Sequence, residues 1–327
     1  MELIRGIHNI KPHHNGCVLS IGNFDGVHLG HQQVLNQLAE QARKLNLPAV
    51  VMTFEPQPME FFAKLAAPAR LTRLRDKFVQ LEKSKIDRLL CVNFNQAFAD
   101  QSPEDFISEL LVKRLGVKFL VVGDDFCFGK NRKGSFADLQ KAAQKYNFQV
   151  VNTQSFCMPA SVTQQDDESV RVSSTAIRQA LANDDLASAA NMLGRDYSIN
   201  GRVSHGRKLG RTIGFPTANI PLKRTVSPVS GVYVVSVKGA DNKAEIGGVA
   251  NIGNRPTVNG VRQQLEVHLF DFKQNLYGQQ LEVVLLKKIR NEQKFDSFEL
   301  LKQQIELDAQ AARVWLLEHD LLWKNVK

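Results

Sequence analysis

Over the first half of the chain, short apolar runs alternate with helical patterns. The runs are CVLSI (17–21), PAVVMTF (48–54), RLLCVNF (88–94), VKFLVVG (117–123) and FQVVNT (148–153). Between the first two, HQQVLNQLAEQARKLNL places Val34, Leu35, Leu38, Ala42 and Leu45 at helical spacing. RDKFVQLEKSKI and PEDFISELLVKRLG are amphipathic in the same way. Such alternation predicts a parallel sheet with helices on both faces. Ligands of these folds sit at the C-terminal ends of the strands. IGNFDG and VGDDFCFG both follow strand patterns and so point to that edge.

After Asn152 the pattern breaks into a mostly polar stretch that turns helical from about Ser174, and LASAANMLG adds a short helical pattern ending at Gly194. From there DYSINGRVSHG, SGVYVVSVKG, EIGGVANIG, RQQLEVHLFDF and QQLEVVLLKKIR alternate apolar and polar residues between glycines. This predicts antiparallel strands in a barrel or sandwich. A helical pattern then runs from Phe295 through Phe298, Leu301, Ile305, Leu307 and Ala311 or Ala312. The expected organisation is an α/β domain over 1–184 and a β-barrel capped by a helix over 185–327, with the boundary near Asp184–Asp185.

Length agrees: 327 residues is long for a single core. At 43% hydrophobic and 23% charged, the chain reads as an ordinary soluble globular protein. A net charge of +9 suits an anionic partner, whether nucleic acid, a membrane surface or a phosphorylated small molecule, and equally a solvated basic surface. The basic residues form no block, and aromatic residues are not interleaved with them as nucleic-acid stacking platforms require. Cys17, Cys91, Cys127 and Cys157 form no CxxC pair and read as buried or incidental thiols of a reducing compartment. No segment approaches ~20 continuous apolar residues, and the N-terminus lacks a signal-peptide pattern, so a cytoplasmic protein without a membrane partner is expected.

Candidate chemistry begins at His28-Leu29-Gly30-His31, where an apolar strand gives way to a helix. Histidines three apart on a first helical turn face the same way. With the free N–H groups of the helix end they suit charge developing on a phosphate, and Gly30 lets a ligand approach the backbone. Ordinary surface histidines share that spacing. Zinc is the poorer option, because no third ligand has obvious spacing. Downstream, Ser173, Ser174 and Thr175 offer hydroxyls where a helix starts, and Arg178 follows one turn later. Such a set cradles a polyphosphate, or is a plain N-cap beside a surface arginine.

In combination these motifs carry a resemblance. GNFDGVHLGH at the first strand–helix turn and SSTAIR near the end of the first half resemble the HxGH nucleotidyltransferase superfamily. Together with VGDDFCFG they are similar to the adenylyltransferase module of bacterial bifunctional FAD synthetases. GRVSHGRKLGRTIGFPTANI (201–220) resembles the riboflavin kinase module, with Pro216-Thr217-Ala218-Asn219 at its PTAN signature. GGVANIGNRPTV (247–258) and QLEVHLFDF (264–272) continue the likeness, which covers nearly the whole chain.

The resemblance implies a Rossmann-like nucleotidyltransferase domain followed by an antiparallel β-barrel kinase domain with a terminal α-helix. It implies two ATP-dependent reactions, riboflavin to FMN in the second domain and FMN to FAD in the first, with Mg²⁺ accompanying ATP. In the first domain, His28 and His31 act on the phosphates. Gly22, Asn23, Phe24, Asp25, Gly30, Ser173, Ser174, Thr175 and Arg178 bind ATP, and Asp125 and Phe126 meet the flavin. In the second domain, Gly206, Arg207, Lys208 and Gly210 wrap phosphates, Thr217 and Asn219 hold the metal, and Asn254, Arg255, Pro256 and Thr257 meet the flavin. Glu266 is the base for the ribityl hydroxyl, if Leu265 and Val267 line the core and turn it the other way. Another nucleotidyltransferase, such as a cytidylyltransferase with a fused barrel, satisfies the N-terminal motifs alone. Oligomeric state and passage of FMN between the domains are left open.

Overall fold

A computed structural model of the chain describes residues 1–63, 66–123, 125–153, 172–205, 214–224, 226–241, 244–257, 260–321 and 323–325. The chain folds into two compact units, one of Met1–Pro68 with Thr72–Ser174, the other of Ala69–Leu71 with Thr175–Lys327.

In the first unit, six strands form one parallel sheet: β1 (Glu2–Arg5), β2 (Cys17–Ile21), β3 (Ala49–Glu55), β4 (Arg88–Asn93), β5 (Val117–Gly123) and β6 (Gln149–Thr153), in the order β1-β4-β3-β2-β5-β6. The five apolar runs are its central strands and far edge. Alternate residues serve two cores, Leu19, Ile21, Met52, Leu90 and Leu120 on one face and Val18, Val51, Leu89, Phe119 and Val121 on the other. Continuous apolar strands are what burial on both faces requires. The pattern misses β1, a four-residue edge strand paired only to β4, because one-sided pairing needs no long apolar run.

Helix α1 (Leu29–Leu45) buries Leu35, Leu38 and Ala42, but the expected core residue Leu45 is 44% exposed. The helix stops at Asn46 in the left-handed conformation (φ 52°), the Leu47 N–H turns back to the Ala42 carbonyl, and Leu47 packs on the core instead. Helix α2 (Leu74–Lys83) occupies the expected place. PEDFISELLVKRLG departs from a plain α-helix: one turn, Pro103–Asp105, runs into a π-helix, Phe106–Arg114, that buries Phe106, Ile107, Leu110 and Leu111.

The second unit begins with α3 (Ser174–Ala182), whose first residue belongs to the first unit, and α4 (Leu186–Leu193), capped by Asp185 and closed by Gly194 at φ 71°. Seven antiparallel strands follow: β7 (Ser198–Arg202), β8 (Ala218–Pro221), β9 (Gly231–Lys238), β10 (Ala244–Thr257), β11 (Gly260–Leu269), β12 (Gln280–Arg290) and β13 (Trp323–Asn325). Their order is β7-β12-β9-β10-β11-β8, with β13 on β10, and a bridge between Ser204 and Asn219 nearly closes the sheet into a barrel. The segment Ala69–Leu71 is tied into this unit at three consecutive carbonyls, by Arg178 Nε to Ala69, Arg224 Nη1 to Arg70 and the Tyr197 hydroxyl to Leu71.

Helix α5 (Phe298–Glu318) packs Ala309, Ala312 and Leu316 on Val232, Val234, Val249 and Phe270 of the barrel wall. Of the expected positions, Leu301 and Ile305 are half-buried and Ala312, not Ala311, is buried, but Phe298 and Leu307 are 48% and 58% exposed. Asp308 is buried on the packed face. Arg290 donates to it from Nε at 2.9 Å and from Nη2 at 2.7 Å, and Gln304 donates at 2.9 Å. Replacing Asp308 with alanine strands the guanidinium, so urea unfolding of the second unit is expected to show a loss of about 3 kcal/mol; an unchanged midpoint contradicts the pairing. No helix among the described residues is long and apolar enough to cross a membrane.

Candidate active sites

Strand order reverses between β2 and β5, and open parallel sheets bind ligands outside the strand ends at such a point. A cleft of about 870 Å³ lies there. Gly22, Asn23, Phe24, Asp25 and His31 line it from the loop and helix after β2, Gly123, Asp125 and Phe126 from the end of β5, and Ser174 from the start of α3.

The loop after β2 is held in an uncommon shape. Phe24 and Val27 have φ of 46° and 43°, a region that costs a β-branched residue most. The surroundings fix it. Thr72 donates to Asp25 Oδ1 from its N–H (2.9 Å) and its hydroxyl (3.2 Å), and its Oγ1 accepts from the Gly26 N–H at 2.9 Å. Ser174 Oγ donates to the Asp25 carbonyl at 2.9 Å, and Thr53 Oγ1 to the Asn23 carbonyl at 3.3 Å. The Asp25 carboxylate, 2% exposed, thus serves the loop's shape.

His28 is the N-cap of α1: its Nδ1 accepts from the His31 N–H at 3.3 Å. The two rings stack with centroids 3.6 Å apart and planes 19° apart. His28 is buried and His31 half-buried beside Phe24. Burial, then His28, then Lys77 push the His31 imidazole well below the ordinary histidine range, so it is neutral at pH 7. His31 Nδ1 and Asn23 Oδ1 are both buried and meet no hydrogen-bond partner among the described residues, and both residues line the cleft. At Gly30 a Cβ would stand 3.2 Å from the His28 ring and 3.4 Å from the Val172 carbonyl. A methyl group at position 30 would therefore press on the His28 ring.

Of the downstream residues, Ser173 and Ser174 are half-buried and Thr175 is exposed. Arg178 folds with the second unit, its Nε on the Ala69 carbonyl. Asp125 is exposed and Phe126 half-buried, its ring stacked on Phe128 at 5.7 Å.

A further wall of the cleft went unread in the sequence. Phe54, Phe62, Phe94, Phe98 and Phe106 line it in tilted and edge-to-face contacts between 5.7 and 6.3 Å. The available signal was a phenylalanine near the C-terminal end of β3 and another just after β4, adjacent strands of one parallel sheet. Cys127 is exposed at the rim; Cys17 and Cys91 are buried, and burial pushes the Cys17 thiol up to about 12. Cys157 lies outside the described residues.

In the second unit, β11 pairs with β8 and β10 so that Glu266 stands opposite Asn219 on one side and Asn251 on the other. Leu265 and Val267 are fully buried, and Glu266 and His268, half-buried, share the opposite face. Asn219 is 5% exposed; its Nδ2 donates to the Thr217 carbonyl at 3.2 Å and its Oδ1 accepts from Gln264 at 2.6 Å. Thr217 immediately precedes β8. His268 Nδ1 donates to the Pro216 carbonyl at 2.9 Å, and burial lowers its pKa. Thr217 and Asn219 offer neutral oxygen donors, which fit a hard divalent cation that also takes phosphate oxygens. Asn254, Arg255, Pro256 and Thr257 lie at the end of β10, paired with 260–263, and their side chains are outside the described part of the structure. Gly206, Arg207, Lys208 and Gly210 lie outside the described residues.

Among the described residues, one other cluster has the composition of a metal site. Ligand-type atoms of Glu2, His13 and His14 lie within 4.8 Å of one another. The Lys11 N–H donates to His14 Nδ1 at 2.9 Å, so the ring proton sits on Nε2 and is donated to Glu2 Oε1 at 3.0 Å. Arg88 lies 3.4 Å from the other carboxylate oxygen. This is a hydrogen-bonded clasp between β1 and the Pro12–His14 turn.

A family model described as FAD synthetase matches residues 10–176, and one described as riboflavin kinase matches residues 193–316. A bifunctional riboflavin kinase/FMN adenylyltransferase of Escherichia coli (strain K12) is 57% identical over 314 residues, 96% of this chain and 97% of that protein. One from Haemophilus influenzae is 55% identical over 315 residues, 96% and 99% of the two chains. A crystal structure described as a macrolide-efflux protein from Streptococcus pneumoniae superposes with a TM-score of 0.73 at 30% identity, covering 96% of this chain and 99% of that one.

Proposed function

This chain belongs to the family of bifunctional riboflavin kinase/FMN adenylyltransferases, and from that premise we propose which of its residues carry each reaction. The enzyme phosphorylates riboflavin to FMN and adenylylates FMN to FAD, using ATP in both steps. We assign adenylyl transfer to residues 1–184 and the kinase to residues 185–327, both in the cytoplasm, with Mg²⁺ as the divalent cation.

In the first reaction site an FMN phosphate oxygen attacks the α-phosphorus of ATP. The bond from that phosphorus to the bridging oxygen breaks, and pyrophosphate leaves. The attacking phosphate is already an anion, so no general base is needed. That accords with a cleft built from neutral imidazole, amide and hydroxyl groups. His31 and the free N–H groups of α1 meet the phosphates. His28 holds His31 by stacking and through the cap. Gly22, Asn23, Phe24, Asp25 and Gly30 shape the floor, and Ser173, Ser174, Thr175 and Arg178 are assigned to ATP binding. The phenylalanine wall, with Phe126 and Asp125, takes the flavin ring, since stacked apolar faces suit a flat aromatic ligand. The observation that carries this reading is the partnerless His31 Nδ1 beside the aromatic cleft at the switch point.

In the barrel, Glu266 takes the proton of the ribityl 5′-hydroxyl as its oxygen attacks the γ-phosphorus, and ADP leaves. Thr217 and Asn219 would hold Mg²⁺, which neutralises phosphate charge when bound. Gly206, Arg207, Lys208 and Gly210 wrap the phosphates, and Asn254, Arg255, Pro256 and Thr257 meet the flavin. Catalysis here is mainly positioning.

Isotope position tests the assignment. Label in the α-phosphate of ATP is expected to enter FAD alone; label in the γ-phosphate is expected to enter FMN and to persist in FAD. An α-label absent from FAD, or CTP working as well as ATP, overturns it.

A further inference from the structure

Lys77 on α2 is 1% exposed, and a lysine is almost never that buried without a task or a partner. Its Nζ donates to Thr53 Oγ1 at 3.2 Å. Thr53, 0% exposed near the end of β3, passes its own hydroxyl proton to the Asn23 carbonyl at 3.3 Å. The Gly22 N–H is fixed to the same strand, on the Met52 carbonyl at 3.1 Å. The relay therefore ends on the loop residue whose side-chain oxygen is buried and unpartnered in the cleft.

We infer that Lys77 is a positioning residue for adenylyl transfer, locking the phosphate-binding loop through Thr53 and lending that end of the cleft a buried positive charge. The inference rests on the reading of this cleft as the FMN adenylyltransferase site. A fixed charge screened by little water acts at longer range than a surface lysine and needs no reorganisation when ATP arrives. Its influence already reaches His31, whose protonation it opposes. His28 on α1, Asp25 in the loop and Asp76 beside Lys77 on α2 are further buried titratable groups in this part of the fold. The Asp25 carboxylate is engaged by Thr72, and the Asp76 carboxylate accepts from the Arg73 N–H at 3.2 Å. With Lys77 removed, His31 protonates more readily. The neutral imidazole is then lost at a higher pH as the solution is acidified.

Two variants of the full chain divide the two roles: Lys77→Met, which keeps the length and loses both the charge and the first bond of the relay, and Thr53→Val, which keeps the charge and loses the relay. Rates of FAD formation from FMN and MgATP are measured across pH, with FMN formation from riboflavin alongside. Lys77→Met is expected to lower kcat for FAD formation about 10- to 100-fold, leave KM for FMN unchanged and move the acid limb to higher pH. Thr53→Val is expected to lower kcat by less and leave the acid limb in place. Both should form FMN at the parent rate. A Lys77→Met chain with parental kcat, or with reduced kcat and an unmoved acid limb, overturns the inference. If Lys77→Met fails to fold, Thr53→Val decides, and parental FAD formation by it overturns the relay. A parent chain that makes FMN but no FAD instead overturns the assignment of the cleft itself.

Discussion

Replacing His28 with alanine is expected to abolish useful FAD formation from FMN while riboflavin is still phosphorylated at the parental rate. The side chain does two jobs. Its Nδ1 caps α1 by accepting the His31 N–H, and its ring lies flat against His31. Loss of the cap alone costs about 1 kcal/mol of stability. Loss of the stacked support leaves His31 free to turn from the phosphates, and removing one such transition-state contact typically costs about 10²- to 10³-fold in rate. His28→Asn separates the two jobs, because asparagine caps well but supplies no ring. Its thermal stability should match the parent while FAD formation stays low. Full FAD synthesis by His28→Ala contradicts the assigned role.

Glu266→Gln is expected to produce the mirror image. Glutamine keeps the size and the strand pairing opposite Asn219, so the barrel should unfold where the parent does. It cannot accept the ribityl proton, and loss of a general base costs about 10²- to 10⁴-fold. FMN formation should fall by that factor in a stopped assay, with FAD formation from supplied FMN untouched. A Glu266→Gln chain that still phosphorylates riboflavin at the parental rate removes the residue from the mechanism.

Elements defined by burial were legible in the sequence; those defined by a neighbour were not. Strands β2 to β5 lie between two cores, so CVLSI and VKFLVVG are nearly continuous apolar runs. β1 has one paired edge and leaves no such trace. Leu45 obeys helical spacing yet is exposed, because a left-handed Asn46 hands its place to Leu47. Leu307, expected on the buried face, is exposed too, while its neighbour Asp308 is buried against Arg290, a pairing between residues 18 apart that leaves no local pattern.

The candidate sites divide in the same way. His28, His31 and Glu266 lie in compact motifs at strand ends or strand centres, and the combination of those motifs, with the resemblance it carries, singled them out. Lys77, Thr72 and the phenylalanine wall matter through contacts made across the fold. Thr72 reaches Asp25 across 47 positions and Lys77 reaches Thr53 across 24, and neither spacing is a motif. Asp25 shows the limit from the other side: it sits inside the GNFDG motif, while its carboxylate is engaged by Thr72 to shape the loop.

The most direct test of two active sites in one chain is a chromatographic time course. The purified full chain is incubated with riboflavin and MgATP, and riboflavin, FMN and FAD are followed together. The account predicts FMN first, then FAD at its expense, with ADP and pyrophosphate as co-products. FMN accumulating with no FAD, even when FMN is supplied as substrate, would contradict the assignment of the first cleft, and no conversion of either flavin would contradict the whole account.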